Sequence, residues 1–419
     1  MRFQAPRGTE DVLPGESYRW QWLEEQFQAH TALYGYREIR TPTFEDTELF
    51  VRTSGETSEV VSKQMYEFVD KGGRQITLKP EGTAPVMRAV IEHNLCPPGT
   101  TQRLWYATPF FRHERPQKGR LREAHQFGLE LVGSPSPLAD AEIIEVTVRF
   151  FERLGLTGLH VLLNSIGRSE CRSRYRQTIL EHLGPYLESL DEEPRATALK
   201  NPLRLLDSKD PEVQARLTSL PPIYDFLEDQ SRANLDELQR ILTLQQVPFQ
   251  LAPNIVRGLD YYTDTVFEVQ SSSLGAQSAL CGGGRYDGLI KEIGGPPTPA
   301  VGVGIGIERL LIVLEAQGML PEEPPPDVYL VSAGEAARDH VLRLASELRR
   351  GGLRVLVDLD FRSLKSQLRQ ADKSCARFAV ILGDEELEAG VVTTRDLKTA
   401  DQRRVPRDAV LSELIGSCR

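Results

Sequence analysis

LWYATPFFRHERPQKGRLREAHQFGLELVG, residues 104–133, is the stretch from which the fold is read. Two strand-like runs flank a basic loop. In the first, Tyr106, Thr108, Phe110 and Arg112 share one face by the two-residue period of a strand. In the second, Gln126, Gly128, Glu130 and Val132 share one face, and Phe127, Leu129 and Leu131 share the other. The apolar face suits a core. The opposite face carries Arg112, Gln126 and Glu130, with Gly128 leaving floor space for a ligand.

The loop at residues 113–122 holds Arg115, Lys118, Arg120 and Arg122 against one early acid, Glu114. Hairpin loops usually run two to about five residues, so this one is long. A long cationic loop is either a surface excursion or a clamp for polyanions. Arg112 favours the clamp, because a fixed guanidinium beside ligand-sized space suits a phosphate or carboxylate oxygen. FRHERPQKGRLREAHQFGLELVG closely resembles motif 2 of the class II aminoacyl-tRNA synthetases, in the form found in histidyl-tRNA synthetases.

The 419 residues can bury large cores and predict two or three domains. No run of about eighteen apolar residues is present, so no membrane span is expected, and the N-terminus lacks an apolar signal core. Cys96, Cys171, Cys281, Cys375 and Cys418 are odd in number, far apart and without a CxxC, which fits a reducing cytoplasm. The seven histidines form no HExxH, so no structural metal is expected. From residue 327 onward, 16 basic residues face 15 acidic ones, net +1, so the first 326 residues carry −11 of the chain's net −10. A global field that attracts nucleic acid is excluded, and any RNA contact must come from local basic surfaces.

In chain order, residues 6–16 are turn-rich and a helix is expected from Ser17 as its N-cap, with Gly35 as its stop. Residues 36–50 then read as strand, proline turn and short helix, an order that resembles motif 1, the family's dimer interface. TLKPEGTAPVMR (residues 77–88) places Glu81, Gly82 and Thr83 just past a short strand, able to aim a carboxylate, a hydroxyl and backbone groups at one small ligand. Residues 164–242 are polar and helical in pattern, an inserted helical subdomain. IVRGLDYYTDTVFEV (residues 255–269) brings Arg257, Tyr261 and Tyr262 before a strand. Tyrosines offer an aromatic wall and a hydroxyl, which suits a flat polar ring. CGGGRYDGL (residues 281–289) adds glycines for close backbone approach, then Arg285 and Tyr286.

AVGVGIGIERLL (residues 300–311) strips one strand face to Gly302, Gly304 and Gly306, so that a flat ring can lie on the backbone. No βαβ unit follows, which excludes a Rossmann site. PEEPPPD (residues 321–327) is a semi-rigid linker. Beyond it, strands at residues 328–331, 354–358 and 378–383 alternate with helices and further β segments follow, a small α/β domain. Arg362, Lys365, Arg369 and Lys373 make one basic stripe on its second helix.

EGT, RGLDYY, GGGRYD and GxGxERLL resemble, in turn, the histidine-binding turn, the two histidine-specific motifs and motif 3 of the histidyl-tRNA synthetases. The resemblance covers nearly the whole chain. It implies an α+β fold: a class II catalytic core, an antiparallel sheet flanked by helices, over residues 1–320 with a helical insertion at about 165–240. A proline-rich linker at 321–326 and a C-terminal α/β anticodon-binding domain at 327–419 complete it. It also implies activation of histidine by ATP with Mg²⁺, transfer to tRNA-His, a homodimer and no membrane. Arg112, Arg257 and Arg309 are then catalytic. Glu81, Gly82, Thr83, Gln126, Glu130, Arg257, Tyr261, Tyr262 and Tyr286 bind histidine. Arg112, Glu114, Arg120, Gly304, Gly306 and Arg309 bind ATP, and Arg115, Gln117, Arg362, Lys365 and Arg369 meet tRNA. The competing expectation is the histidine-sensing regulatory subunit of ATP phosphoribosyltransferase, which shares the catalytic fold but has no anticodon domain. Two departures stand out: Ala124 replaces an aromatic that commonly stacks on adenine, and Leu121 replaces a usual loop tyrosine.

Overall fold

The computed structural model describes residues 3–54, 58, 60–117, 119–208, 210–256, 259–272 and 279–418. The chain divides into two compact units, Met1–Pro321 and Glu322–Arg419.

The first unit begins with helix α1 (Ser17–Ala32), strand β1 (Arg37–Glu38), β2 (Phe44–Asp46), α2 (Thr47–Ser54), β3 (Tyr66–Val69), β4 (Gln75–Leu78) and α3 (Thr83–Glu92). Next come the two strands of the opening stretch, β5 (Gln102–Phe111) and β6 (Glu123–Val132), then α4 (Pro137–Arg153) and β7 (Leu159–Ser165). The insertion runs through α5 (Ser169–Glu188), α6 (Glu192–Lys200), a 3₁₀ turn (Pro202–Asp207), α7 (Pro211–Leu217) and α8 (Asp229–Leu244). The chain returns through β8 (Gln250–Leu251), β9 (Thr263–Ser271), β10 (Ala279–Arg285), α9 (Leu289–Glu292), β11 (Ala300–Gly306) and α10 (Ile307–Ala316). Ser17 is the first helical residue of α1 rather than its cap; the cap position is Glu16, which makes no side-chain cap bond.

Eight strands form one sheet in the order β1-β5-β6-β11-β10-β9-β7-β8, antiparallel except at its two outer pairs. The β5–β6 hairpin pairs from Phe111↔Glu123 to Gln102↔Val132, as the period of two requires. Phe127, Leu129 and Leu131 are fully buried on the apolar face. Phe127 stacks on Phe27 of α1 with ring centroids 4.2 Å apart, and Phe150 of α4 closes edge-on. The helices therefore cover one face of the sheet, and the other is left for chemistry. A second, three-stranded sheet, β2-β4-β3, carries Phe44, Tyr66, Phe68, Ile76 and Leu78 on a single face.

The second unit is a five-stranded sheet in the order β13-β12-β14-β15-β16. These are β12 (Val328–Ala333), β13 (Val355–Val357), β14 (Phe378–Gly383), β15 (Val391–Asp396) and β16 (Gln402–Pro406). Helices α11 (Ala337–Arg350), α12 (Leu364–Lys373), α13 (Asp384–Ala389) and α14 (Val410–Cys418) accompany it, over its own core of Val328, Leu330, Leu344 and Val380. Arg362 lies ahead of α12, paired with Asp358 at 2.9 Å, so the basic stripe on the helix itself is Lys365, Arg369 and Lys373. The backbone turn that Asp358 stabilises takes Arg362 out of the helical register.

Candidate active site

The turn at residues 80–83 ends in the N-terminus of α3. Glu81 accepts main-chain hydrogen bonds from Thr83 N (2.6 Å) and Ala84 N (2.7 Å), so the carboxylate is aimed by the helix it caps. Burial raises its pKa, and these two donors oppose the shift. The Thr83 hydroxyl turns inward and donates to Glu130 Oε1 at 2.8 Å.

Glu130 is fully buried in the centre of the sheet. Two further hydroxyls donate to it, Tyr106 at 3.1 Å and Tyr286 at close range. Burial pushes its carboxyl up to about 8, against the pull of these donors. The space it fills is made by Gly302, its direct partner on β11, where a Cβ would collide with the carboxylate. Tyr106 is wedged in the same way between Gly82 and Gly128. It also accepts a bond from Gln126 Nε2 at 3.2 Å.

Above this floor lies a cavity of about 390 Å³. Arg112 enters it with Nε held by the Pro80 carbonyl at 2.8 Å. Burial weighs against its charge, and Glu114 and Glu81 support it. Glu114 also pairs closely with Arg120. Arg309, in the first turn of α10, donates to the Gly119 carbonyl (3.2 Å) and the Ala279 carbonyl (2.8 Å), tying the hairpin loop to β10. Main-chain carbonyls thus fix two guanidinium groups before any ligand arrives. The loop itself is ordered at its base, with Arg112 N bonded to Arg122 O at 2.9 Å, and again where Gln117 bridges Arg120.

Tyr261 and Tyr262 supply another wall, with ring centroids 4.7 Å apart. Ala124 lines the cavity too. Directly across the hairpin from it stands Phe110, on the same face, with the Arg112 guanidinium 5.1 Å from its ring centre. The aromatic that position 124 lacks is present on the neighbouring strand.

Of the residues expected at the site, the structure brings Glu81, Thr83, Arg112, Glu114, Arg120, Gln126, Tyr261, Tyr262, Gly304, Gly306 and Arg309 to this one cavity. Gly82, Glu130 and Tyr286 lie behind its wall as its support. Arg257 and Lys118 lie outside the described residues. Arg115 and Gln117 are exposed on the loop, and Arg362, Lys365 and Arg369 belong to the second unit. Gly302, Gly304 and Gly306 do not form a uniformly bare strip: Gly302 is covered by Glu130, while Gly304 and Gly306 reach the cavity. Sequence reading missed Tyr106 and Phe110 as site residues, although both share the strand face that carries Arg112. Among the described residues no group of three or more His, Cys, Asp or Glu side chains is placed to hold a metal ion.

A family model described as histidyl-tRNA synthetase matches residues 8–310, and one described as anticodon binding domain matches residues 327–416. The histidine–tRNA ligase of Geobacillus thermodenitrificans is 45% identical, with 99% of this chain and 98% of that protein covered. The Synechocystis protein of the same name is 47% identical over 99% of this chain and 92% of its own. Among solved structures, apo histidyl-tRNA synthetase from S. aureus superposes with a TM-score of 0.83 at 34% identity, covering 99% of this chain and all of that one. A Bacillus halodurans structure described as an ATP phosphoribosyltransferase regulatory subunit/histidyl-tRNA synthetase gives 0.66 at 25% identity, over 91% of this chain and 99% of its own. Matched end to end by relatives nearly half identical, and bearing the turn, hairpin and glycine strand in one cavity, the chain belongs to the histidyl-tRNA synthetase family.

Proposed function

We propose that this chain is a histidine–tRNA ligase that works in the 390 Å³ cavity. It activates histidine with ATP to give histidyl-adenylate and pyrophosphate, then passes histidine to the terminal ribose hydroxyl of tRNA-His. One observation carries the reading: Arg112 and Arg309, each anchored on a main-chain carbonyl, share a cavity with Glu81, Thr83, Gln126 and the two tyrosines.

In the first step a carboxylate oxygen of histidine bonds to the α-phosphorus, and the bond to the pyrophosphate oxygen breaks with its electron pair. Two anions must meet, so positioning and cationic screening supply most of the rate. Arg112, with Arg257, serves the α-phosphate and the attacking carboxylate, and Arg309 serves the distal phosphates. Glu114 repels phosphate itself, and its value is to hold Arg120 toward the triphosphate. Gly304 and Gly306 give adenine a backbone surface, and Mg²⁺ enters as the counter-ion of ATP.

Glu81, Thr83 and Gln126 take the amino end of histidine. Glu130 and Tyr262 take the two imidazole nitrogens, between Tyr261 and Tyr286. One of the three hydroxyls on Glu130 yields its place to the incoming N–H. An apolar competitor brings no such donor to this buried carboxyl, a mismatch of about 1–3 kcal/mol per lost bond.

Exposed Arg115 and Gln117 on the hairpin loop suit the acceptor end of tRNA, and Arg362, Lys365 and Arg369 suit its anticodon side. A homodimer is supported by the apolar face of the small sheet, where Phe44 is 55% and Phe68 43% exposed. The four described free cysteines support a reducing cytoplasm. No helix among the described residues is long and apolar enough to cross a membrane.

The test is pyrophosphate exchange into ATP, run with each common amino acid and without tRNA. Exchange with histidine alone is expected. Histidine binding by calorimetry without exchange would favour the sensor reading and make the arginine roles wrong.

A further inference from the structure

The tyrosine wall is held from outside the catalytic sheet. Residues 259–264 pass under the inserted helices, and the insertion and its entry turn grip this segment at successive points. Arg172, in the first turn of α5, donates through Nη1 to the Tyr262 carbonyl at 2.8 Å and reaches the Asp260 carbonyl at 3.5 Å. Asn201, between α6 and the 3₁₀ turn, donates to the Asp260 carboxylate at 3.2 Å. Arg168 pairs with Asp264 at 3.2 Å, and Ser231 of α8 donates to the other oxygen of the same carboxylate. Asp264 sits at φ 50°, a left-handed conformation that is uncommon outside glycine, although aspartate tolerates it better than most.

The peptide carbonyl that Arg172 fixes belongs to Tyr262 itself. A carbonyl's direction sets the plane of the peptide, and with it the direction in which the preceding side chain leaves the chain. Arg172 is half-buried beside a small cavity that Ile166, Leu203 and Leu259 line together with Arg176 and Asp260, and partial burial of this kind strengthens a charge-assisted hydrogen bond.

We propose that Arg172 and Asn201 are positioning residues of the histidine pocket, which makes the inserted helices part of the amino-acid site rather than a separate cap. The inference rests on the reading of Tyr261 and Tyr262 as the imidazole wall. The coupling is reciprocal: histidine in the pocket tightens the docking of α5 and the 201 turn, and whatever shifts the insertion changes histidine affinity by the same factor.

The test measures KM for histidine and for ATP separately in pyrophosphate exchange by the full-length chain. Arg172→Ala is expected to raise KM for histidine about tenfold or more while KM for ATP stays within about twofold. Arg172→Lys, which keeps the charge on a single donor nitrogen, restores part of the loss, and Asn201→Ala gives a smaller effect in the same direction. In hydrogen exchange, histidine added to the unaltered chain slows the amides of residues 169–176 and 200–207, and Arg172→Ala removes that protection. The inference is overturned if Arg172→Ala leaves KM for histidine unchanged, or raises both constants equally, or if histidine protects no amide of the insertion. Should Arg172→Ala not fold, Asn201→Ala and the hydrogen exchange of the unaltered chain decide alone. Failure of the unaltered chain to exchange pyrophosphate with histidine is a different result, since it overturns the underlying reading of the site.

Discussion

Glu130 is the buried floor of the cavity, and the proposed function makes it the reader of the imidazole ring as well. Glu130→Gln keeps the shape and turns one carboxyl oxygen into an NH₂ donor that cannot accept an imidazole N–H, so histidine activation should fall far more than ATP affinity does. KM values from exchange assays check this, and equal loss of both would sink the assignment. The same burial has a stability signature. With its carboxyl raised from 4.5 to about 8, folded Glu130 keeps a proton that the unfolded chain releases. Its contribution is full below about pH 4.5 and is lost as pH rises toward about 8, by up to about 1.4 kcal/mol per unit. Urea midpoints between pH 5 and 8 should therefore decline less steeply in Glu130→Gln. Phe110 makes a third case at this scale. Phe110→Ala should raise KM for ATP several-fold, in line with about 0.5–1.5 kcal/mol for one aromatic contact, and Phe110→Ala with Ala124→Phe should recover it. A double variant no better than the single one would show that the ring does not serve the nucleotide. Glu130 could be read from the period of its strand, whereas its three hydroxyl partners come from positions 83, 106 and 286, which sequence spacing alone cannot place together.

Elements were legible in proportion to how local their causes are. Both strands of the hairpin followed from alternation, and α10 from its apolar run, because side-chain period is a property of the segment itself. Arg362 escaped the expected helix because Asp358 holds the turn before it, a contact no helical spacing announces. What remains on α12 is an exposed stripe of Lys365, Arg369 and Lys373. Lys365→Glu with Arg369→Glu should raise KM for tRNA about tenfold in aminoacylation and leave tRNA-free exchange untouched. It should also flatten the salt dependence of KM by about one to two counter-ions. An unchanged tRNA constant would return the stripe to the role of a solvated helix face.

At the scale of the molecule, each of the two units has a core of its own. A fragment ending at residue 321 should therefore keep adenylate formation and lose most charging of tRNA, and the two assays run side by side would show it. The two units divide at Pro321, where the expected proline-rich linker begins, but the strand order of the large sheet was not legible, since pairing partners are chosen by tertiary packing. That order has a consequence during synthesis. β11 lies between β6 and β10 in the sheet, yet it leaves the ribosome after both. Until residues 300–306 emerge, the nascent chain carries two raw strand edges at the middle of its future sheet, each able to pair with a stranger. A ribosome stalled shortly before that point would hold Glu130 and its hydroxyl partners without the glycine strand that packs over them, in a chain whose two open edges invite non-native pairing until the last strand slides in.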